Sequence, residues 1–227
     1  RRAELLCHPG GQRETLAGAA VRSSSIRMGF LYPVTLDVQD KLCLVLGEGE
    51  EAERKLEQLR AAGAQVRHAK QFAPDLLDGV FLAILTGQAA EINAQVFAEC
   101  ERRGSLLNCL DDAPHCRFAF PSIHRQGDLT IAVSTNGACP ALAVRIRETL
   151  GRQFGAEYAA FLCICRSLRK RIKGAIPDFD RRRTLWYRLI DSPALDLLRD
   201  GKEKEARELA DSLIESVSES GDPQKTR

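Results

Sequence analysis

The sequence predicts an α/β protein: a parallel sheet with helices on both faces in its N-terminal half, then a wholly helical C-terminal part. Three observations carry this. Continuous apolar runs recur at Leu42–Leu46 and Val80–Leu85, with a similar segment at Ser105–Leu110, as strands buried on both faces read. Segments with apolar residues at helical spacing separate them. After about Glu157 only the helical period remains. The 227 residues are 44% hydrophobic, enough for one or two cores.

The elements follow in order. Residues 1–27 are rich in Arg, Gly and Ser and show no apolar period. The only methionine, Met28, comes just before the first strand-like pattern, so residues 1–27 are expected to be a disordered or non-native extension. Phe30–Val38 alternates loosely and is expected to form a short strand. Leu42–Leu46 is a strand, followed by Gly47-Glu48-Gly49 and a helix from Glu50 to about Ala62. Ala52, Leu56 and Leu59 share one face of that helix, and Gly63 stops it. Ala64–Ala69 is the second strand. Only Lys70–Gly79 separates it from the strand at Val80. A right-handed crossover carrying a helix usually needs ~10–12 residues or more. Either this half of the sheet is abbreviated or the two strands are not parallel neighbours.

Ile92–Arg103 is an amphipathic helix ended by Gly104, and Ser105–Leu110 is the next strand. Leu129–Ser134 follows as a strand, Asn136-Gly137 as a turn, and Pro140 opens a helix to about Leu150. Further helices are expected near 157–173, 179–190, 192–200 and 202–217. Residues 219–227 form a polar tail.

Composition excludes several classes of function. With 33 basic and 31 acidic residues, the net charge of +2 predicts neither a nucleic-acid nor an anionic-membrane partner. No apolar run approaches the ~20 residues of a membrane span. The eight cysteines form no CxxC pair, against a zinc ribbon. The N-terminus lacks the apolar core of a secretory signal. Reduced thiols in a cytoplasmic protein are expected.

The chemistry-bearing pattern is Gly47-x-Gly49-x-x-Ala52. The first glycine permits a tight turn, the second lets backbone approach a pyrophosphate, and small Ala52 lets helix pack on strand. The helix N-terminus then offers free N–H groups to phosphate. A preceding buried strand and a following helix supply the context the motif requires. Glu48, Glu50 and Glu51 repel phosphate unless they turn away. The acidic residue expected about 20 positions on, for the ribose 2′-hydroxyl, is absent. Arg67-His68-Ala69-Lys70 stands there instead, which suits either a 2′-phosphate or a solvated basic loop.

Other candidates are local. Asp111-Asp112-Ala113-Pro114 reads as a turn. Cys109, His115 and Cys116 surround it, at a spacing that fits no metal template. Ser134–Gly137 precede a helix N-terminus, a geometry that binds anions, with Arg145 and Arg147 on that helix. His124-Arg125 precedes the strand at Leu129. Cys163 and Cys165 cannot share a helix face. Arg166–Lys173 and Arg181–Arg183 form a basic face, either solvated surface or a lip for a polyanion.

The combined pattern resembles the precorrin-2 dehydrogenase family, the N-terminal module of siroheme synthases. The matching pieces are Tyr32–Val38 (YPVTLDV), Gly47–Lys55 (GEGEEAERK), Phe81–Ile84, Asn93, Asn108–Asp112 (NCLDD), Phe120–Ile123 (FPSI) and Leu129–Glu148, with a helical tail containing Arg181–Ile190. Its most specific element is the STNGACPALA segment at Ser134–Ala143.

The resemblance implies a Rossmann-like NAD-binding domain over 28–120, a dimerisation and substrate-binding region over 121–152, and a helical domain over 153–218, assembled as a homodimer. It implies NAD-dependent oxidation of precorrin-2 to sirohydrochlorin, and in some members insertion of Fe2+ to give siroheme. Gly47, Gly49, Glu50, Ala52 and Thr86 would hold NAD. Asp111 matches the family's aspartate, a general base or a transient metal contact. Ser134, Thr135, Asn136 and Gly137, with His124 and Arg145, would meet the carboxylates of the tetrapyrrole. The sequence departs from the family at Asn136 and Cys139, usually glycine and serine, and at Thr86-Gly87-Gln88. Gln65–Gly79 looks like the family's later strand and loop, with the adenosine-side strand and its helix missing. That gap suggests the alternatives of a tetrapyrrole-binding scaffold or a chelatase only.

Overall fold

A computed structural model describes residues 31–219. The expected extension over 1–27 and the tail beyond 219 lie outside the described residues.

Four parallel strands form the main sheet: β1 (Leu42–Leu46), β2 (Gln65–Ala69), β3 (Leu82–Leu85) and β4 (Leu106–Cys109), in the order β2-β1-β3-β4. Helix α1 (Glu50–Ala61) covers one face and α2 (Ala90–Arg103) the other. The apolar run in β1 has its reason in this sandwich. Cys43 and Val45 pack with Ala52, Leu56 and Leu59 of α1. Leu44 and Leu46 pack with Val96 and Cys100 of α2. All four β1 residues are fully buried, as alternation across a two-sided sheet requires.

The reading of a missing adenosine-side strand is corrected by the register. β1 pairs with β2 through Leu42↔Gln65 to Leu46↔Ala69, and with β3 through Cys43↔Leu82 to Leu46↔Leu85. β2 and β3 therefore flank β1 and are not neighbours. The adenosine-side strand is present as the sheet's edge. The connection from β2 to β3 is what is short. It carries only a 3-10 turn, Pro74–Leu77, whose buried Leu77 fills the α2 face of the sheet in place of a helix.

Residues 31–38 form no strand. Pro33 lacks a donor, Tyr32 and Val34 are exposed, and only Val38 enters the core beside α1. Loose alternation without a partner strand makes an extended arm, not a ladder.

A hairpin follows that the sequence only half disclosed: β5 (Ser122–Gln126) antiparallel to β6 (Leu129–Val133). β5 alternates in reverse, with Ile123 exposed and His124 turned inward. Helix α3 (Pro140–Gln153) packs on this hairpin, the support that two strands alone need. Helices α4 (Ala156–Ala175), α5 (Phe179–Ile190), α6 (Ala194–Arg199) and α7 (Glu203–Glu219) build a separate core around Phe161, Ile164, Leu168, Leu185, Leu189 and Ala210. Asp178 caps α5, its carboxylate accepting the Arg181 N–H at 2.8 Å. Among the described residues no helix is long and apolar enough to cross a membrane.

Candidate functional site

Three strand ends define the site. Leu46, Leu85 and Cys109 are in register across β1, β3 and β4, so Gly47, Thr86 and Asp111 leave the sheet along one edge. With neighbouring strands ~4.8 Å apart, the ends of β1 and β4 stand about 10 Å apart. Strand order reverses between β1 and β3, and open α/β sheets bind ligands at such a switch point, outside the carboxyl ends of the strands.

The two glycines of the turn do different things. At Gly47 (φ +133°) an added Cβ would lie 2.1 Å from the Thr86 Oγ1 and 2.2 Å from the Thr86 carbonyl oxygen. This glycine exists so that two strand ends can touch. At Gly49 (φ +89°) an added Cβ would meet nothing within 4 Å. This glycine keeps open space beside the backbone. The first helical bond runs from Glu53 N–H to the Gly49 carbonyl, and no side chain among the described residues caps α1. The N–H groups of Glu50, Glu51 and Ala52 are therefore without helical acceptors. Thr86, 4% exposed, has a buried hydroxyl with no partner among the described residues. Open space, uncapped N–H groups and an orphaned hydroxyl fit a dinucleotide. Of the three glutamates, Glu51 is turned to Arg54 and Glu48 to Lys70, while Glu50 is exposed at the helix start.

The basic end of β2 is engaged in full. Arg67 donates to the carbonyls of Asp75, Leu76 and Asp78, tying down the 3-10 turn. His68 Nε2 lies 2.8 Å from the Gly47 carbonyl oxygen. Gly47 N–H donates to the Ala69 carbonyl at 2.9 Å. Lys70 Nζ is 2.7 Å from Glu48 Oε2.

Asp111 and Asp112 look alike in sequence and have opposite fates. Asp111 is exposed at φ +64° and makes no hydrogen bond among the described residues. Asp112 turns inward, accepting from Asn93 Nδ2 at 2.9 Å and paired with His115 Nδ1 at 2.8 Å. Its burial opposes ionisation, but the bonds from His115 and Asn93 outweigh that and hold its pKa below the usual carboxylate value. The network fixes the turn that projects Asp111. Nothing in the sequence alone tells the two apart, because the distinction is one residue's left-handed backbone.

The neighbouring thiols are packing groups. Burial pushes Cys109 up to about 12. The Cys116 thiol donates to the Cys109 carbonyl at 3.1 Å. Among the described residues, no three His, Cys, Asp or Glu side chains gather to hold a metal ion.

The Ser134–Gly137 loop sits between β6 and α3. Ser134 Oγ accepts from the Asn136 N–H and Thr135 Oγ1 from the Cys139 N–H, each at 3.2 Å. Asn136 (φ +50°) and Gly137 (φ +77°) make the left-handed turn. The two hydroxyls keep their protons free to donate. The structure does not bring His124 to this loop. Its Nε2 is 2.8 Å from the Phe154 carbonyl oxygen and its ring lies against Gly151. Gly151 is ~16 Å along α3 from Pro140 at 1.5 Å per residue. The correction for His124 is therefore that it clasps the hairpin to the far end of α3. Arg145 is exposed on α3, and its guanidinium has no partner among the described residues.

Lys55 is a residue the sequence reading passed over. It is 4% exposed on the sheet face of α1, with Nζ 3.4 Å from the Phe120 ring centroid and 3.8 Å from Glu51. Burial pushes its pKa down. Its place three residues after Ala52, within the apolar stripe, was the available signal.

Fold and edge together define a Rossmann-class α/β protein whose switch-point edge has the shape that suits a dinucleotide. Three family models match in chain order: one described as NAD(P)-binding on 34–71 and 65–122, the sirohaem biosynthesis protein central region on 126–153, and the sirohaem synthase dimerisation region on 157–214. The two segments of the first match overlap at 65–71. Siroheme synthase 1 of Pectobacterium atrosepticum is 35% identical over 217 residues, covering 86% of this chain and 45% of its own length. Siroheme synthase of Chromobacterium violaceum is 34% identical over 197 residues, covering 78% and 42%. A solved structure titled SirC, precorrin-2 dehydrogenase, shares the fold at TM-score 0.65 and 21% identity, over 80% of this chain and all of that one. Along 34–214 the chain thus matches an NAD(P)-binding model and two sirohaem-synthesis models in order, and its sequence is similar to that of siroheme synthases. It spans less than half the length of the siroheme synthases it matches.

Proposed function

We propose that this chain is an NAD-dependent precorrin-2 dehydrogenase, oxidising precorrin-2 to sirohydrochlorin in siroheme biosynthesis. The observation that carries the proposal is the single edge shared by the Gly47–Gly49 turn, the orphaned Thr86 hydroxyl and the unpartnered Asp111 carboxylate. The names of its relatives supply the substrate class. NAD, when bound, accepts the hydride. The uncapped N–H groups of α1 hold phosphate, and Gly49 leaves room for it. Asp111, exposed and free of partners, takes the proton that the macrocycle loses. Ser134 and Thr135 donate hydroxyls, and Arg145 a guanidinium, to the carboxylates of the tetrapyrrole. The dimerisation-region match supports a homodimer.

The presence of β2 counts against the scaffold alternative, which was motivated by a missing strand and helix of which only the helix is absent. Insertion of Fe2+ as a second activity rests on Asp111 alone, a carboxylate that binds a divalent ion weakly enough to release it. Anaerobic incubation of the chain with precorrin-2 and NAD+ should yield the sirohydrochlorin spectrum. Asp111→Asn should lower the rate at least a hundredfold, the usual scale for a general base, with NAD+ affinity unchanged. Full activity in Asp111→Asn would remove the carboxylate from the reaction. Metal insertion without nucleotide that survives Asp111→Ala would remove it from the chelatase reading.

A further inference from the structure

In this fold the carboxylate that reads the adenosine ribose stands at the end of the second strand. Here β2 ends in Arg67, His68 and Ala69, with Lys70 just beyond, and carries none. That gap invites a 2′-phosphate reading, but each basic group already has a partner. Arg67 is held by three carbonyls, His68 by the Gly47 carbonyl, and Lys70 by Glu48.

A carboxylate is nonetheless at the end of β2, delivered from the neighbouring element. Glu48 belongs to the turn after β1, and the 2.7 Å contact with Lys70 draws its carboxylate across to β2. The turn cannot swing away. Gly47 is fastened to β2 at both polar groups, its N–H to Ala69 and its carbonyl to His68. Both side chains of the ion pair are exposed, at 68% and 71%, and so open to a ligand. The same edge has the open space at Gly49.

We propose that Glu48, positioned by Lys70, recognises the adenosine ribose in place of the missing β2 acid and selects a nucleotide without a 2′-phosphate. This rests on the dinucleotide-binding reading and deepens it. An ionised carboxylate accepts from the ribose hydroxyls with the strength of a charge-assisted hydrogen bond. A 2′-phosphate would bring about two negative charges against it. Lys70 cannot answer that charge while Glu48 neutralises it. Without the Glu48 carboxylate, Lys70 becomes a free cation at the ribose and the preference reverses.

The test is calorimetric titration of the full chain with NAD+ and with NADP+, for the wild type, Glu48→Gln and Lys70→Met. Both positions are exposed, so the variants should fold, and circular dichroism checks this. The wild type should bind NAD+ at least tenfold more tightly than NADP+. Glu48→Gln should weaken NAD+ and shift the ratio tenfold or more toward NADP+. Lys70→Met should weaken NAD+ severalfold without any gain for NADP+. A wild type that binds NAD+ while Glu48→Gln keeps the same ratio within twofold would overturn the role of Glu48 and leave the dinucleotide site standing. A wild type that binds neither nucleotide would overturn both.

Discussion

Replacing Gly47 and Gly49 separately by alanine should give two different failures. Both residues have positive φ, so either alanine carries backbone strain of about 1–3 kcal/mol. At Gly49 that is the whole cost, because the new methyl meets nothing within 4 Å. At Gly47 the methyl would sit 2.2 Å from the Thr86 carbonyl oxygen. That oxygen is backbone and has no rotamer through which to yield. Thr86 is also anchored, its N–H donating to the Leu46 carbonyl at 2.9 Å. Relief requires prising β1 from β3 at their buried ends, so the loss should exceed about 4 kcal/mol, the range of exceptional substitutions. That is a large share of the ~5–15 kcal/mol by which proteins of this kind are stable. Nucleotide affinity should follow a different order. The Gly49→Ala methyl enters the space through which a pyrophosphate approaches, so NAD+ affinity should fall tenfold or more in a protein that is still folded. Urea unfolding followed by far-ultraviolet circular dichroism reads the first quantity, and calorimetry with NAD+ the second. The reasoning is refuted if Gly49→Ala retains NAD+ affinity, or if it costs as much stability as Gly47→Ala.

Lys55→Met should leave stability within about 1 kcal/mol of the wild type or raise it, since a buried charge with one distant carboxylate exchanges for an apolar chain of similar length. A loss above about 2 kcal/mol in urea melts would show instead that the Phe120 contact is a major tie. Cys109 predicts an alkaline limit. Its thiol ionises near 9 when unfolded and only at about 12 when folded. The stability it contributes is therefore complete below pH 9 and lost between pH 9 and 12. Cys109→Ala should flatten that part of the pH profile of the urea midpoint, and an unchanged slope would exclude the thiol as its source.

Legibility divided along physical lines. β1 was readable to the residue, because burial on both faces leaves an uninterrupted apolar word and a glycine closes it. The C-terminal helices were readable from their periodicity, within a few residues at each end. β5 was not, because its inward face carries Ser122, His124 and Gln126 while Ile123 points out. Spacing left two outcomes open for β2, an abbreviated sheet or strands that are not neighbours, and the second holds for a topological reason. Counting residues between two strands tests a crossover only if the strands are neighbours, and β1 lies between these two. At the site, the glycine motif disclosed itself through spacing. The Glu48–Lys70 pair and the Asn93–Asp112–His115 network join residues 22, 19 and 3 positions apart, and no local pattern announces such contacts.

The β2 edge has a consequence for motion. Among the described residues, strand β2 is paired on one side only, and single-sided strands are where local opening begins. Yet the glycine turn is fastened to this strand, through Ala69, His68 and Lys70. Fraying of the sheet's weakest margin and slackening of its most conformationally demanding turn are thus one event. A nucleotide seated on the turn would act as the missing outer neighbour, tightening an edge it never pairs with and slowing amide exchange along β2.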